Sequence, residues 1–113
     1  MGGYPQALEV ANAVRTLYVS GQIPASRDGV VPTAFREQCR LAWRNLEVQL
    51  LAAQMTFDNL VKVTIFLSDR RFGAEQGEVR REILGDRSPA LTVIVAGIFD
   101  EAWLLEIEAI AIA

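Results

Sequence analysis

Two carboxylates near the end of the chain are the residues best suited to acid–base chemistry. Glu106 and Glu108 lie two positions apart in the segment 103–113, which we interpret as a strand. Residues two apart on a strand share a face and lie roughly 7 Å from each other. Such a pair either reaches solvent, at a cleft or a subunit boundary, or has pKa values raised by burial and mutual repulsion. A glutamate at such a cleft could take a proton from a water and return it to a leaving group.

The strand that must position this pair has two largely apolar faces. Alternation separates its other side chains into two sets, Leu105, Ile107, Ala109 and Ala111 on one face and Leu104, Ile110 and Ile112 on the face of the carboxylates. A strand covered on one side only would alternate cleanly between apolar and polar residues. We therefore expect a central strand of a sheet with material packed on each face.

The sequence has few residues that could form a metal site or a nucleophilic site. The chain has no histidine and one cysteine, so it has neither a Cys/His metal site nor an internal disulfide. Cys39 falls on the apolar stripe of a predicted helix, and no histidine exists to activate it. We interpret it as a small core residue, and we expect no metal and no cofactor.

The composition favours one domain, spanning residues 1–113, and excludes several classes of protein. Of the 113 residues 51% are hydrophobic, which is high for so small a monomer, so we expect apolar surface to close against another copy in a homo-oligomer. A formal net charge of −3 supplies no basic face for nucleic acid. Without a signal peptide or a membrane-spanning run, the chain is expected to be cytoplasmic and to have no membrane partner.

Periodicity and turn residues predict the order strand, strand, helix, strand, helix, strand, strand. The predicted elements are strands at 7–10 and 15–20, a helix at 34–53 with Thr33 as its N-cap, a strand at 61–67, a weaker helix from about Gly73 to Leu84 that stops at Gly85, and strands at 91–96 and 103–113. A hairpin is plausible between the first two strands. The unbroken apolar run at 91–96 is typical of a strand buried on both faces.

Several motifs resemble one family. They are Tyr4-x-Gln-Ala near the start, LYVSGQIP at 17–24, Asn45-Leu46 on the first helix, LVKVTIFL at 60–67, Pro89-Ala90, and EIEAIA at 106–111. Together they resemble the RidA/YjgF family of small trimeric proteins, which includes enamine/imine deaminases. The resemblance implies an α+β fold like that of bacterial chorismate mutase, with a mixed sheet of about six strands and two helices on one face. It also implies a homotrimer around a central barrel, with small-molecule clefts between subunits.

The resemblance also implies a site, of which this chain retains part. Tyr4, Ser20 and Glu106 match catalytic positions of the family's deaminases, and Gly21 matches a substrate-binding position. Three other positions of that site depart from the family. They are Leu91 in place of an arginine, Val93 in place of a cysteine, and Gly77 in place of an asparagine. We also expect Trp103 to form a wall of the cleft, because an indole offers a large apolar face.

The loss of the arginine decides what substrate we expect. An arginine fork holds a carboxylate in bidentate fashion, which leucine cannot do, so weak or no activity is expected on 2-aminoacrylate and similar imines. One alternative stays open, namely that an arginine of a neighbouring subunit takes over this role. The candidates are Arg70, Arg71, Arg80, Arg81 and Arg87.

The sequence leaves three functions open. The first is a hydrolytic deaminase whose substrate is not held by the usual arginine, and the second is a non-catalytic trimer that binds a small metabolite in the same clefts. The third, a ribonuclease or translation inhibitor, is the least supported by an acidic chain without histidine. In the simplest structural interpretation, Glu106 and Glu108 line the trimer interior or pair with helix arginines.

Overall fold

Alternation and helical periodicity in the sequence produce a helix layer and a sheet. The computed structural model describes residues 4–113, which contain β1 (Thr16–Gln22), α1 (Phe35–Ala52), β2 (Leu60–Leu67), α2 (Gly73–Leu84), β3 (Ala90–Val95) and β4 (Leu105–Ile112). Short 3-10 helices at Phe57–Asn59 and Arg70–Phe72 precede β2 and α2. The predicted α+β class is therefore confirmed.

The sheet has the order β1-β4-β2-β3. β4 is antiparallel to both β1 and β2, whereas β2 and β3 are parallel. Parallel neighbours need a crossover connection, and α2 provides it. The expected central position of the last strand is confirmed, since β4 has a hydrogen-bonded neighbour on each side.

The helices cover one face of the sheet and build the core there. On β4 this face carries Leu105, Ile107, Ala109 and Ala111, of which Leu105 and Ile107 are fully buried. From α1, the side chains of Ala42, Leu46 and Leu50 are 0% exposed in the same cluster. Cys39 belongs to this cluster and is also 0% exposed, which confirms it as a core residue.

The opposite face of the sheet, called the open face below, carries the side chains of Tyr18, Thr64, Phe66, Glu106, Glu108 and Ile110. Tyr18 is 75% exposed and Glu108 is exposed, while Glu106 and Ile110 are half-buried. Both faces of β4 were expected to be covered. Among residues 4–113, only the face toward the helices is covered.

The predicted strand at 7–10 and its hairpin are wrong, and the sheet of residues 4–113 has four strands rather than about six. Residues 7–10 are exposed and have no ladder partner. Asn12 adopts φ 62°, a left-handed conformation that interrupts an extended run. Within the described part of this segment, the first bonds to the sheet are those of Val14 and Arg15, whose N–H groups both donate to the carbonyl of Ala113 at 2.9 Å.

The prediction that 91–96 is buried on both faces is also wrong. Among residues 4–113, β3 lies at the edge of the sheet and pairs only with β2. As a result Val93, Ile94 and Val95 are 39%, 42% and 47% exposed. An apolar edge strand of this kind is a template for pairing with another chain.

The helix boundaries agree with the sequence, but one cap does not. α1 spans Phe35–Ala52 against the predicted 34–53, and α2 starts at Gly73 as expected. Thr33 is not the N-cap, because that position is taken by Ala34, which makes no side-chain capping bond. Gly85 ends α2 with φ 60°, and its N–H donates to the carbonyl of Arg81 at 2.9 Å.

Candidate active site in two halves

The first group of candidate residues, called the acidic half-site, comprises Ser20, Gly21 and Glu106. A shift in register between Val19 and Gln22 places one extra residue of β1 opposite β4, and the bulge falls at Ser20 and Gly21. A methyl group at Gly21 would overlap Oε2 of Glu106 and lie 2.7 Å from its carboxyl carbon. The Glu106 side chain therefore lies across the backbone of Gly21, at a place that only glycine leaves open.

The loop that follows the bulge is fixed to α1 by one amide side chain. Nδ2 of Asn45 donates to the carbonyl oxygens of Ile23 at 2.8 Å and Ala25 at 3.0 Å. Pro24 between them is buried. Because these bonds fix the chain two residues beyond Gly21, Asn45 positions the acidic half-site without touching it.

An acidic and aromatic cavity adjoins Glu106 on the open face. Its volume is about 200 Å³, and its walls include Phe66, Phe99, Glu106 and Glu108. The ring of Trp103 lies 6.5 Å from that of Phe99, which is 95% exposed. Trp103 is not among the residues that line this cavity and lies beside it next to Phe99, so its role as a cleft wall stays a prediction. The sequence left two environments open for Glu106 and Glu108, contact with solvent at a cleft or burial together. In the structure both line a cavity that is open to solvent.

The second group, called the basic half-site, surrounds a cavity of about 350 Å³ between α2 and β3. Four of the site positions that the resemblance indicates line it, namely Tyr4, Gly77, Leu91 and Val93. Other residues of its wall come from α2, and they are Gly73, Ala74, Gln76, Glu78, Arg80 and Arg81. The cavity therefore has an apolar side on β3 and a cationic side on α2.

Arg80 and Gln76 are buried polar residues of this wall. Arg80 is 7% exposed and Gln76 is 6% exposed, and Nη1 of the arginine donates to Oε1 of the amide at 3.3 Å. Burial lowers the pKa of Arg80 from its ordinary value, and the charge of Arg81 lowers it further. Sequence reasoning missed Gln76 and named Arg80 only among five candidates. The available signal was the spacing of Gln76, Arg80 and Leu84, which puts all three on one side of α2.

Gly77 makes room for the second arginine. A methyl group at this position would lie 3.2 Å from Nη1 of Arg81. The guanidinium of Arg81 therefore rests over Gly77 beside the cavity. The resemblance indicates an asparagine at this position of the family. This chain has glycine there instead, and the guanidinium of Arg81 lies beside it.

The remaining arginines have other surroundings. Arg87 donates to Oδ1 of Asp58 at 2.6 Å, and Arg71 lies 4.8 Å from the ring of Phe72. On α1, Arg36 and Arg40 pair with glutamates of α2 at 2.5–3.1 Å. The interpretation in which these two helix arginines pair with Glu106 or Glu108 is therefore wrong.

The two half-sites lie on opposite faces of the sheet. Leu91 is paired with Val63, which is fully buried beneath the helices, so its side chain is on the helix face. Glu106 is paired with Phe66 on the open face. Because side chains in register share a face, Leu91 and Glu106 of one chain cannot touch the same small molecule.

No helix among residues 4–113 is long and apolar enough to cross a membrane. The described part of the chain also holds no group of three or more His, Cys, Asp and Glu side chains that could bind a metal ion. The cytoplasmic location expected from the sequence stays a prediction.

The geometry defines a class, a small α+β protein with two helices on one face of a four-stranded mixed sheet and candidate site residues on both faces. The family model described as Endoribonuclease L-PSP matches residues 1–113. The chain belongs to this family, which is the RidA/YjgF family that its motifs resemble.

Relatives and solved structures agree with this assignment. The chain is 36% identical to "Protein mmf2, mitochondrial" of Schizosaccharomyces pombe over 113 residues, which is 97% of this chain and 87% of that protein. It is 32% identical to 2-iminobutanoate/2-iminopropanoate deaminase of Mus musculus over 114 residues, 99% of this chain and 82% of the relative. The crystal structure of Escherichia coli TdcF with bound serine matches with a TM-score of 0.84 at 25% identity, covering 100% of this chain and 95% of that one.

Proposed function

We propose that the protein is a hydrolytic deaminase of small imines or enamines, acting in clefts between the subunits of a homotrimer. The observation that carries this proposal is the carboxylate of Glu106, which lies across the backbone of Gly21 beside a cavity on the open face. The mouse relative named for 2-imino acid deamination supports the reaction class.

The reaction needs only a positioned water and one group that accepts and returns protons. Water adds to the imine carbon while Glu106 accepts one of its protons and passes it to the nitrogen, giving a carbinolamine. Glu106 then carries the hydroxyl proton of the carbinolamine to the nitrogen, the carbon–nitrogen bond breaks, and ammonia leaves a carbonyl product. The balance is one imine and one water in, one carbonyl compound and one ammonia out. In this proposal the Ser20 hydroxyl and the Gly21 N–H orient the nitrogen or the water.

The separation of the half-sites supports assembly in a trimer. A second chain that covered the open face could bring its basic half-site, with Tyr4 and Leu91, against Glu106 of the first. The side chains of Tyr18, Phe66 and Ile110 on the open face and the exposed edge strand β3 supply apolar surface for such a contact. A closed ring of three would then contain three equivalent clefts.

The other two functions have less support. A non-catalytic trimer would bind a small apolar or cationic metabolite in the same clefts, and the cavity of Phe66, Phe99 and the two glutamates has suitable walls. A ribonuclease would need affinity for phosphates, and a net charge of −3 works against it.

Ammonia release from freshly generated imines tests the proposal. We expect release above the buffer rate, and at least a hundredfold loss in Glu106→Gln, in which the amide cannot accept the proton. Glu101→Gln, an exposed acid of the loop before β4, is the matched control and should keep full activity. Metabolite binding without any ammonia release would instead support the non-catalytic alternative.

A further inference from the structure

We infer that the cavity between α1 and α2 binds a small zwitterion, an α-amino acid with an apolar side chain. Its volume is about 350 Å³, and α1 contributes Arg40, Trp43, Arg44 and Glu47 to its wall. Its lining shares no residue with the cavities of the acidic and basic half-sites. The inference therefore goes beyond the proposed function and does not rest on it.

The first argument is a buried donor without an acceptor. Trp43 is 1% exposed, and its indole Nε1 has no hydrogen-bond partner among residues 4–113. A buried N–H left without an acceptor costs free energy, and the indole N–H of a buried tryptophan usually has a partner. Because Trp43 lies on the cavity wall, an oxygen of a bound molecule could accept from it.

The ring of Phe57 is the neighbour whose movement would give a ligand access to this donor. It packs edge-to-face on Trp43, with ring centroids 6.0 Å apart and planes at 78°, and it lines the same cavity. Phe57 is half-buried and belongs to a short 3-10 helix, so its side chain is freer to turn than those of the core. A rotation of this ring is part of the proposed binding.

The second argument is a pair of opposite charges that have no partner. Arg44 is exposed and Glu47 is half-buried, and neither makes a salt bridge within residues 4–113, with the other or with any third residue. Residues three apart on a helix are neighbours on its surface, so one small molecule can reach both. A carboxylate bound to Arg44 and an ammonium bound to Glu47 would use both charges.

The third argument concerns the rest of the wall. Nε and Nη2 of Arg40 donate to the two carboxylate oxygens of Glu82, each at 3.0 Å. These bonds raise the pKa of Arg40 and lower the pKa of Glu82, so both charges persist and offset each other. The wall as a whole has two arginines and two glutamates, which favours a zwitterion over a molecule with net charge. Phe57 and Ile83 supply apolar surface for the side chain of the amino acid.

Titration of the isotopically labelled protein with L-leucine, followed by NMR, tests the site through the indole N–H signals of the two tryptophans. The signal that is absent from Trp43→Phe belongs to Trp43. We expect it to shift saturably with leucine, while the signal of Trp103 moves little. Two analogues remove one charge each, since leucine amide lacks the carboxylate and 4-methylpentanoate lacks the ammonium. Each should bind at least fivefold more weakly than leucine.

Two variants match these analogues. Arg44→Gln should bind leucine and leucine amide equally, and Glu47→Gln should bind leucine and 4-methylpentanoate equally. Arg70→Gln and Glu37→Gln remove the same charges at exposed positions outside the cavity, and they should keep the affinity for leucine within twofold.

The absence of a saturable shift at Trp43 would overturn the inference, as would equal affinity of the unaltered protein for leucine and both analogues. A shift confined to the indole of Trp103 would also overturn it, because the ligand would then lie near the acidic half-site. Should Trp43→Phe not fold, Trp103→Phe assigns the two signals instead. None of these outcomes depends on ammonia release, so the inference and the proposed function fail separately.

Discussion

At the scale of single residues, Glu106 and Gly21 act as one unit. The carboxylate occupies the space that a side chain at position 21 would fill, so its location depends on a residue that contributes no side chain. The obstacle to a larger residue is the end of a flexible side chain rather than backbone. A substitution should therefore move the carboxylate more than it disturbs the fold.

Gly21→Ala tests this dependence. We expect imine hydrolysis to fall at least tenfold, because the added methyl displaces the Glu106 carboxylate from the backbone of position 21. The free energy of unfolding should change by less than about 1 kcal/mol, since the glutamate can rotate away. Ammonia release and urea denaturation measure the two effects. Gly97→Ala, where a methyl group meets open space, is the control for stability. Undiminished hydrolysis in Gly21→Ala would contradict the assigned role of Glu106.

Cys39 should make the free energy of unfolding fall as the pH becomes alkaline. Burial raises the pKa of its thiol to about 12, with a further contribution from the charge of Glu75. Because the folded pKa lies above the unfolded value of about 8.5, the contribution is complete below that pH and is lost as pH rises toward 12. Between pH 7.5 and 10 the unaltered protein should lose roughly 2 kcal/mol more than Cys39→Ala.

Urea denaturation at the two pH values, at one protein concentration, gives this difference. Equal losses in the two proteins would show that the thiol does not differ between its folded and unfolded environments. In the same range, thiol reagents should label Cys39 only after unfolding, because the neutral buried thiol is a poor nucleophile.

At the scale of elements, Gln38 connects α1 to the segment that leads into β4. The side chain is 2% exposed and satisfies three backbone groups. Its Nε2 donates to the carbonyls of Pro32 at 2.8 Å and Ala102 at 2.9 Å, and its Oε1 accepts from the N–H of Leu104 at 2.8 Å. These bonds position the start of the strand that carries Glu106.

Gln38→Ala should therefore be costly. Three backbone groups would lose their hydrogen bonds to a buried side chain, and we expect a loss of about 3 kcal/mol in the free energy of unfolding. Gln49→Ala, on an exposed position of the same helix, should change it by less than about 0.5 kcal/mol. Denaturant titration of both variants makes the comparison, and similar losses would mean that the three bonds contribute little.

At the scale of the whole molecule, the open face decides whether the candidate site is complete. Half-buried Ile110 and exposed Tyr18 face each other there, on β4 and β1. If three chains close their open faces together, these side chains lose their contact with water. The proposed trimer thus depends on the same surface that carries Glu106.

Ile110→Asp tests the assembly. We expect the unaltered protein to sediment as a trimer at micromolar concentration and the variant to dissociate, because an unpaired charge would be buried in the interface. Val48→Asp places the same charge on an exposed position of α1, and it should remain trimeric. A stable monomer of the unaltered chain would remove the basis for shared clefts, and a trimeric Ile110→Asp would place the interface elsewhere.

The sequence by itself determined the features that depend on local pattern. The bounds of α1, the start of α2 and the positions of β1 and β4 followed from periodicity and turn residues, because those signals arise within one element. The central place of β4 followed from its two apolar faces. The motifs also sufficed for the family, since most of them lie in the segments that build the sheet.

Only the tertiary structure decided which polar residues are buried and which strand is at the edge. Gln38, Gln76 and Arg80 are ordinary helix residues in the sequence, and their burial depends on segments far away in the chain that pack over them. The run at 91–96 has the composition of a buried strand, yet the crossover through α2 puts β3 at the edge of the sheet. The division of the site between two faces has the same cause, because register across the sheet, rather than spacing along the chain, sets the face on which Leu91 and Glu106 lie.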